Sequence, residues 1–295
     1  MEPTRFVLVQ SRGTLSSLAG LALVGQAPHR FAQLPQLVNP SLPVRSGIPN
    51  SYILMPMVGL LCQGKSDFGA IERFLQDGFF ARALGLRGVP PVPTLRQQLD
   101  RHAEVFLPMA DTALTQLLKK ARVPITPLPC GYVPLGLDVF TLDNSTTCKE
   151  GIGWTYAGFI GYAPIAAYLG QEGWDTTLPE RLDPQAVIAL YADHATHEQF
   201  HAEIKTDLDL ERLPCRKFAT NDLLLTLGAL AYNILRMIGQ KTLQGPDATP
   251  PGQAATGENH HPGDHHPGGP RLKRHSVYSN PNLSLGSVCR PVCLH

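Results

Sequence analysis

Between Leu223 and Ile238 the chain reads LLLTLGALAYNILRMI, and coiled into a helix these residues are apolar around most of the circumference. A helix without a polar face belongs inside a protein, so this stretch predicts a core helix around which other elements gather. Asn233 interrupts the run from Leu223 to Leu235 and Arg236 closes it, which leaves it short of the roughly 18 apolar residues a membrane span needs. No membrane partner is expected. With 295 residues, 43% of them hydrophobic and 17% charged, the chain has material for one large core or two small ones.

Upstream, residues 1–50 hold Pro28, Pro35, Pro40, Pro43 and Pro49 with little periodicity, which predicts loops and one short helix at 15–25. Residues 51–124 read as a helical region. Tyr52 to Cys62 is apolar enough for a buried helix that Gly64 ends. Ser66 and Asp67 can cap a second helix, carrying Phe68, Ile71, Phe74, Leu75, Phe79 and Leu84 at spacings of three and four. A third is expected to start with Thr94 as its cap and to run through Leu95, Leu99, Ala103 and Phe106 to the basic run Lys119, Lys120 and Arg122. The net charge of +1 gives no global attraction to nucleic acid, so any such binding has to come from local clusters. Arg96, Arg101, Lys119, Lys120 and Arg122 suit phosphate contacts. They equally suit a solvated helix end whose dipole they complement. Cys62, Cys130, Cys148, Cys215, Cys289 and Cys293 have neither paired CxxC spacing nor the density of a secreted scaffold, which predicts reduced thiols in a cytoplasm.

The chemistry concentrates in Tyr191 to Thr220. At roughly 100° per residue, Tyr191, His194, Glu198, His201 and Lys205 form one polar stripe. Phe200, Ile204 and Leu208 run beside it as an apolar edge that would pack the helix on a core and aim the stripe at a cleft. Two kinds of site use these residues. His197, Glu198 and His201 form His-Glu-x-x-His, which in zinc peptidases sets two imidazoles and a carboxylate base on one face. The extended motif wants Gly and His where this chain has Ile204 and Asp207, and Glu211 and Glu258 are poorly placed as a third ligand. The other reading takes the spacing Tyr191, His194, Glu198, Lys205, in which a carboxylate and an ammonium would hold a divalent cation and an anionic substrate side by side.

Tyr132 to Phe140 predicts a strand, and Asp138 sits in it among apolar neighbours. Such an acid is costly to bury unless it is protonated, paired or metal-bound. Asp143 reads as a turn residue before Asn144 and as a fallback acid. Tyr156 to Leu169 supplies two further short strands broken at Gly158, Gly161 and Pro164.

Three blocks in order carry a resemblance. The segment EQFHAEIKTDLDLERLPCRKFATNDLLLTLGALAYNILRMIGQ resembles the C-terminal part of bacterial insertion-sequence DDE transposases of the DDE domain group 1 kind. LDVFTLDNSTTCKEGIGWTYAGFIGYAPIAAYLGQEGW is similar to their first-strand block, and LLCQGKSDFGAIERFLQDGFFARALGLRGVPPVPTLRQQLD to their N-terminal region. The Tyr191, His194, Glu198, Lys205 spacing is that of their Tyr-Arg-Glu-Lys signature, with His in place of Arg.

The resemblance implies an α/β (α+β) chain divided into a loop-rich segment 1–50, a helical DNA-binding region 51–124, a partial RNase H-like DDE domain 125–243 and a disordered tail 244–295. It implies a metal-dependent transposase working with Mg²⁺ or Mn²⁺ on transposon-end DNA, in the cytoplasm and associated with the nucleoid, and open to homo-oligomerisation. Asp138 would be the first carboxylate, Asp183 the nearest candidate for the second and Glu198 the third, with Asp138 and Glu198 as metal ligands. Tyr191, His194 and Lys205 would touch DNA near the scissile phosphate.

Departures from the family pattern point to a degenerate copy. Relatives carry Leu-Asp-x-Asp where this chain has Leu135, Gly136, Leu137 and Asp138. Only about twenty residues, Gln171 to Leu190, separate the strand block from the Glu198 helix, too few for further strands and a crossover of ten or more residues. Asp183 precedes Pro184 and also reads as a helix cap. Beyond Leu243 the sequence GPDATPPGQAATGENHHPGDHHPGGP has almost no large apolar residue, consistent with a shifted reading frame. A non-catalytic DNA-binding or transposase-binding remnant is the alternative.

Overall fold

The computed structural model describes residues 18–43, 47–127, 133, 135–170, 174–176 and 203–243. The tail 244–295, the helix start proposed at residue 15 and most of the Tyr191 stripe lie outside the described residues. What is described mixes helices with small antiparallel sheets.

The helices are α1 (Leu21–Ala27), α2 (Leu34–Val38), α3 (Ser51–Leu61), α4 (Gly78–Ala83), α5 (Val92–Ala121) and α6 (Phe218–Leu243). A π-helical turn at Pro28–Ala32 joins α1 to α2, and a 3-10 helix at Phe68–Phe74 precedes α4. As expected, α6 is a core helix: Leu223, Leu224, Leu227, Leu230, Ala231 and Ile234 are all fully enclosed. It packs on α5, α3 and α1 in one continuous core. As a regular helix it is also longer than the apolar run alone. Phe218–Lys241 is long and apolar enough to cross a membrane by composition, yet most of it is buried inside the protein.

α5 earns its place opposite α6 by spacing. Leu95, Leu99, Ala103, Phe106, Ala110, Ala113, Leu114, Leu117, Leu118 and Ala121 recur every three or four residues, and all are buried. Its start differs from the expectation. The flanking residue is Pro91, with Pro93 in the first turn, so Thr94 lies inside the helix rather than capping it. Proline's fixed φ and missing N–H suit a first turn, where that donor has no partner anyway.

The helix expected from Phe68 through Leu84 is two pieces. Asp67 accepts a hydrogen bond from the Gly69 amide, and ten residues later Asp77 accepts from the Phe79 and Phe80 amides, at 2.8 and 3.1 Å. The second carboxylate starts a new helix and so breaks the first.

The described residues hold six strands between α5 and α6: β1 (Leu135–Val139), β2 (Leu142–Asp143), β3 (Gly153–Trp154), β4 (Ile160–Tyr162), β5 (Ile165–Leu169) and β6 (Trp174–Thr176). β1, β5 and β6 form an antiparallel sheet in that order, with Asp138 opposite Ala166. β2, β4 and β3 form a second, smaller sheet inserted between β1 and β5. The two short strands expected between Tyr156 and Leu169 are β4 and β5, separated at Ala163 and Pro164.

Two predictions follow from this packing. Leu230→Ala, at a fully enclosed site in α6, should lower unfolding free energy by about 2–5 kcal/mol, read from the urea midpoint. Among the described cysteines, the Cys62 thiol is pushed up to about 12 by burial, whereas Cys148 is exposed. Because the thiolate reacts, peptide mapping after iodoacetamide treatment at pH 8 should find Cys148 alkylated and Cys62 spared.

Candidate functional site

The site is built where the segment after residue 202 meets the end of β1. A π-helical turn, Glu203–Asp207, carries Ile204 inward, and Ile204 and Leu208 are both buried, as the apolar edge of the stripe requires. The segment is fixed on several sides. Glu203 lies 3.8 Å from the Arg236 guanidinium of α6, which also donates to the Tyr232 hydroxyl at 3.0 Å. Asp209, in the left-handed region at φ 57°, accepts from both the amide and the hydroxyl of Ser66, each at 3.1 Å. Gly64 follows α3 at φ 65°, and a Cβ there would meet the Asp207 carbonyl at 2.6 Å, so only glycine lets the two backbones approach this closely.

Held this way, Lys205 places its ammonium 5.6 Å from the centre of the Phe140 ring, a cation–π geometry. Phe140 lies two residues beyond Asp138, and its amide donates to the Pro164 carbonyl at 3.1 Å. The structure therefore brings together Lys205, from the helical signature, and the end of the strand that carries Asp138. Asp138 itself is half-buried rather than enclosed, and its Oδ1 accepts from the Val139 amide at 2.8 Å. Asp183, Tyr191, His194, His197, Glu198 and His201 lie outside the described residues. Asp143 behaves as a turn residue. Its carboxylate accepts from the Ser145 hydroxyl at 2.6 Å and the Ser145 amide at 2.9 Å, and these bonds hold it below the ordinary carboxylate range.

The basic residues at the end of α5 are split. Lys119 and Arg122 are exposed, with Arg122 closing the helix at φ 48°. Lys120 is engaged with the side-chain oxygens of Gln33 and Gln116. All three stand where cations complement the carbonyl end of the helix dipole.

A polar junction at the start of α6 supports the site. Asp100 on α5 accepts from the Cys215 thiol at 2.8 Å and the Thr220 hydroxyl at 2.9 Å. The Cys215 thiol is raised above its ordinary value by burial and by that carboxylate. Glu150 accepts from the Phe218 amide at 3.1 Å, satisfying a donor at the beginning of α6. Asn221 donates to the Tyr162 hydroxyl, which in turn donates to the Glu150 carbonyl at 2.6 Å. The Lys149 ammonium donates to the Asn144 side chain at 2.6 Å and to the Leu213 carbonyl, and desolvation lowers its proton affinity. The small sheet, α5 and α6 are thereby locked together. Sequence reasoning missed Asp100 and Phe140, since their partners lie 65 to 120 residues away and no local spacing reveals them.

Among the described residues no group of three or more His, Cys, Asp or Glu gathers as a metal site. Asp138 supplies a carboxylate oxygen, the ligand type that hard cations such as Mg²⁺ prefer.

Residues 160–234 match the family model of the transposase DDE domain, which supports a DDE transposase family. The match covers β4, β5, the positions of Asp183, Glu198 and Lys205, and most of α6. It also runs through His197, Glu198 and His201, so the His-Glu-x-x-His stretch falls within the matched region, and nothing supports the peptidase reading. No curated protein and no solved structure matches the chain significantly.

Asp100→Ala would leave the Cys215 thiol and the Thr220 hydroxyl without their shared acceptor. The expected loss is about 1–3 kcal/mol of unfolding free energy, checked by urea denaturation against Asp100→Asn, which retains an acceptor and should lose less.

Proposed function

We propose that this chain is a DNA-end-binding protein of the bacterial insertion-sequence DDE transposase type, with a depleted acidic site. The observation that carries the reading is the seating of Lys205 over Phe140, two residues past Asp138. A DDE site needs its strand acid and its helical signature to converge, and this contact supports that by setting Lys205 against a residue two positions along the chain from Asp138. The match over residues 160–234 supports the family independently.

In this reading β1, β5 and β6 are the antiparallel half of an RNase H-like sheet, and Asp138 stands on its first strand. Asp138 and Glu198 would hold Mg²⁺ or Mn²⁺, with Asp183 the candidate second acid. Bound divalent ions would supply activation of water and of a DNA 3′-hydroxyl. The chain's own contribution is positional. Lys205 sets a point charge beside a phosphate oxygen, Tyr191 and His194 join it by the spacing of the signature, and Lys119, Lys120 and Arg122 add phosphate contacts. The short interval from Gln171 to Leu190 and the single acid in Leu135–Asp138 favour an internally deleted copy. Such a copy binds element ends, and assembles with itself there, more readily than it cuts.

The test uses DNA bearing the terminal sequences of the element. Binding should be salt-dependent and should weaken about tenfold in Lys205→Ala, with strand cleavage in Mg²⁺ or Mn²⁺ slow or absent. Robust cleavage abolished by Asp138→Asn would instead establish an intact enzyme. Failure to distinguish element ends from unrelated duplex would overturn the reading.

A further inference from the structure

The small sheet inserted between β1 and β5 carries a feature that the proposed acidic site does not use. Trp154 is 69% exposed, Tyr156 64% and Ile160 42%, large apolar groups concentrated on one short hairpin. Trp154 on β3 stands directly opposite Ile160 on β4, so their side chains share one face. The hairpin is well made. The Thr155 amide and hydroxyl both donate to the Phe159 carbonyl, the Gly158 amide donates to the Thr155 carbonyl, and Gly158 at φ 83° closes the loop. Exposure of these three side chains is therefore a property of an ordered element.

The hairpin is also aimed. The Tyr156 hydroxyl donates to the Val139 carbonyl at 2.8 Å, next in sequence to Asp138. Aromatic surface thus lies against the strand that bears the candidate acid, and the Lys205 ammonium lies over Phe140 one residue further on. We propose that Trp154, with Ile160 beside it and Tyr156 at the tip, is a stacking platform for an unpaired nucleotide of a DNA strand whose phosphates run toward Lys205. This rests on the nucleic-acid reading of the site.

The chemistry favours this occupant. An indole face takes any base, and it pairs naturally with a cation a short way along the backbone. Three side chains are also too little surface for a second copy of the chain, since a stable protein interface covers about 800 Å² on each partner. Inside duplex DNA the base faces are covered by stacking and opening a step costs free energy, so the platform favours unpaired nucleotides.

The test uses the full chain carrying Trp174→Phe, which leaves Trp154 as the only indole. It is titrated without metal with oligodeoxythymidine and with a duplex of equal length and unrelated sequence. Trp154 fluorescence should be quenched by the single strand and little changed by the duplex. Trp154→Ala, measured by anisotropy of labelled oligodeoxythymidine in the otherwise wild-type chain, should weaken single-strand binding about tenfold, and Trp154→Phe should restore most of it. Thermal melting of both variants should match the parent, because so exposed a ring contributes little packing. Equal single-strand affinity in Trp154→Ala, or a preference for duplex in the quenching, would overturn the proposal. A changed sedimentation coefficient in Trp154→Ala with unchanged DNA affinity would give the patch to a second copy. The two readings separate cleanly. Loss of end recognition with Trp154 quenching intact removes the transposase reading alone, while end recognition with no Trp154 effect removes the platform alone.

Discussion

Burial of most of α6 is the constraint from which the rest of the molecule follows. A helix apolar around most of its circumference cannot stop at one contact, and α5, α3 and α1 pack against it in a single core. Close packing is visible at Gly228, where a Cβ would lie 2.4 Å from the end of the Leu210 side chain, so the segment following Lys205 sits close against the helix. The same enclosure makes the polar groups at the beginning of α6 consequential, since each must be satisfied by protein where water is excluded. Asp100, Glu150 and Asn221 serve that need, and in doing so they fasten the sheets to the helices.

The fold was legible wherever periodicity was strong. The apolar repeat of α5, the circumference of α6 and the two short strands β4 and β5 all declared themselves in sequence. What escaped was punctuation. Thr94 looked like a cap but lies within α5, because two prolines before and after Val92 already provide a helix start. Asp77 divided a pattern whose apolar spacing alone was continuous from Phe68 to Leu84. In both places a local backbone preference outranked the hydrophobic pattern.

The site was legible in part for a different reason. Lys205 and Asp138 could each be singled out from residue type and context, yet neither spacing nor composition says that a lysine will rest on Phe140. That contact depends on Gly64, Ser66 and Arg236, which hold the 203–209 segment from three directions and come from two separate helical regions. Likewise, β4 could be read as a strand, but its partner β3 lies before the expected run, and the hairpin's attachment through Tyr156 to Val139 spans 17 residues and has no signature in the intervening sequence. Long-range contacts of this kind are set by the whole core, and they are what turns isolated polar residues into a site.

α5 has a mechanical consequence. Thirty residues at about 1.5 Å each make a rod of roughly 45 Å. Near one end, Asp100 grips the approach to α6; at the other, Lys120 is tied to Gln33 in the connection between α1 and α2. α5 therefore spans the distance from that connection to the footing of the buried helix, with Pro108 the one gap in its own hydrogen-bond ladder that its sequence imposes. The amino-terminal helices and the sheet-bearing half are coupled as parts of one frame.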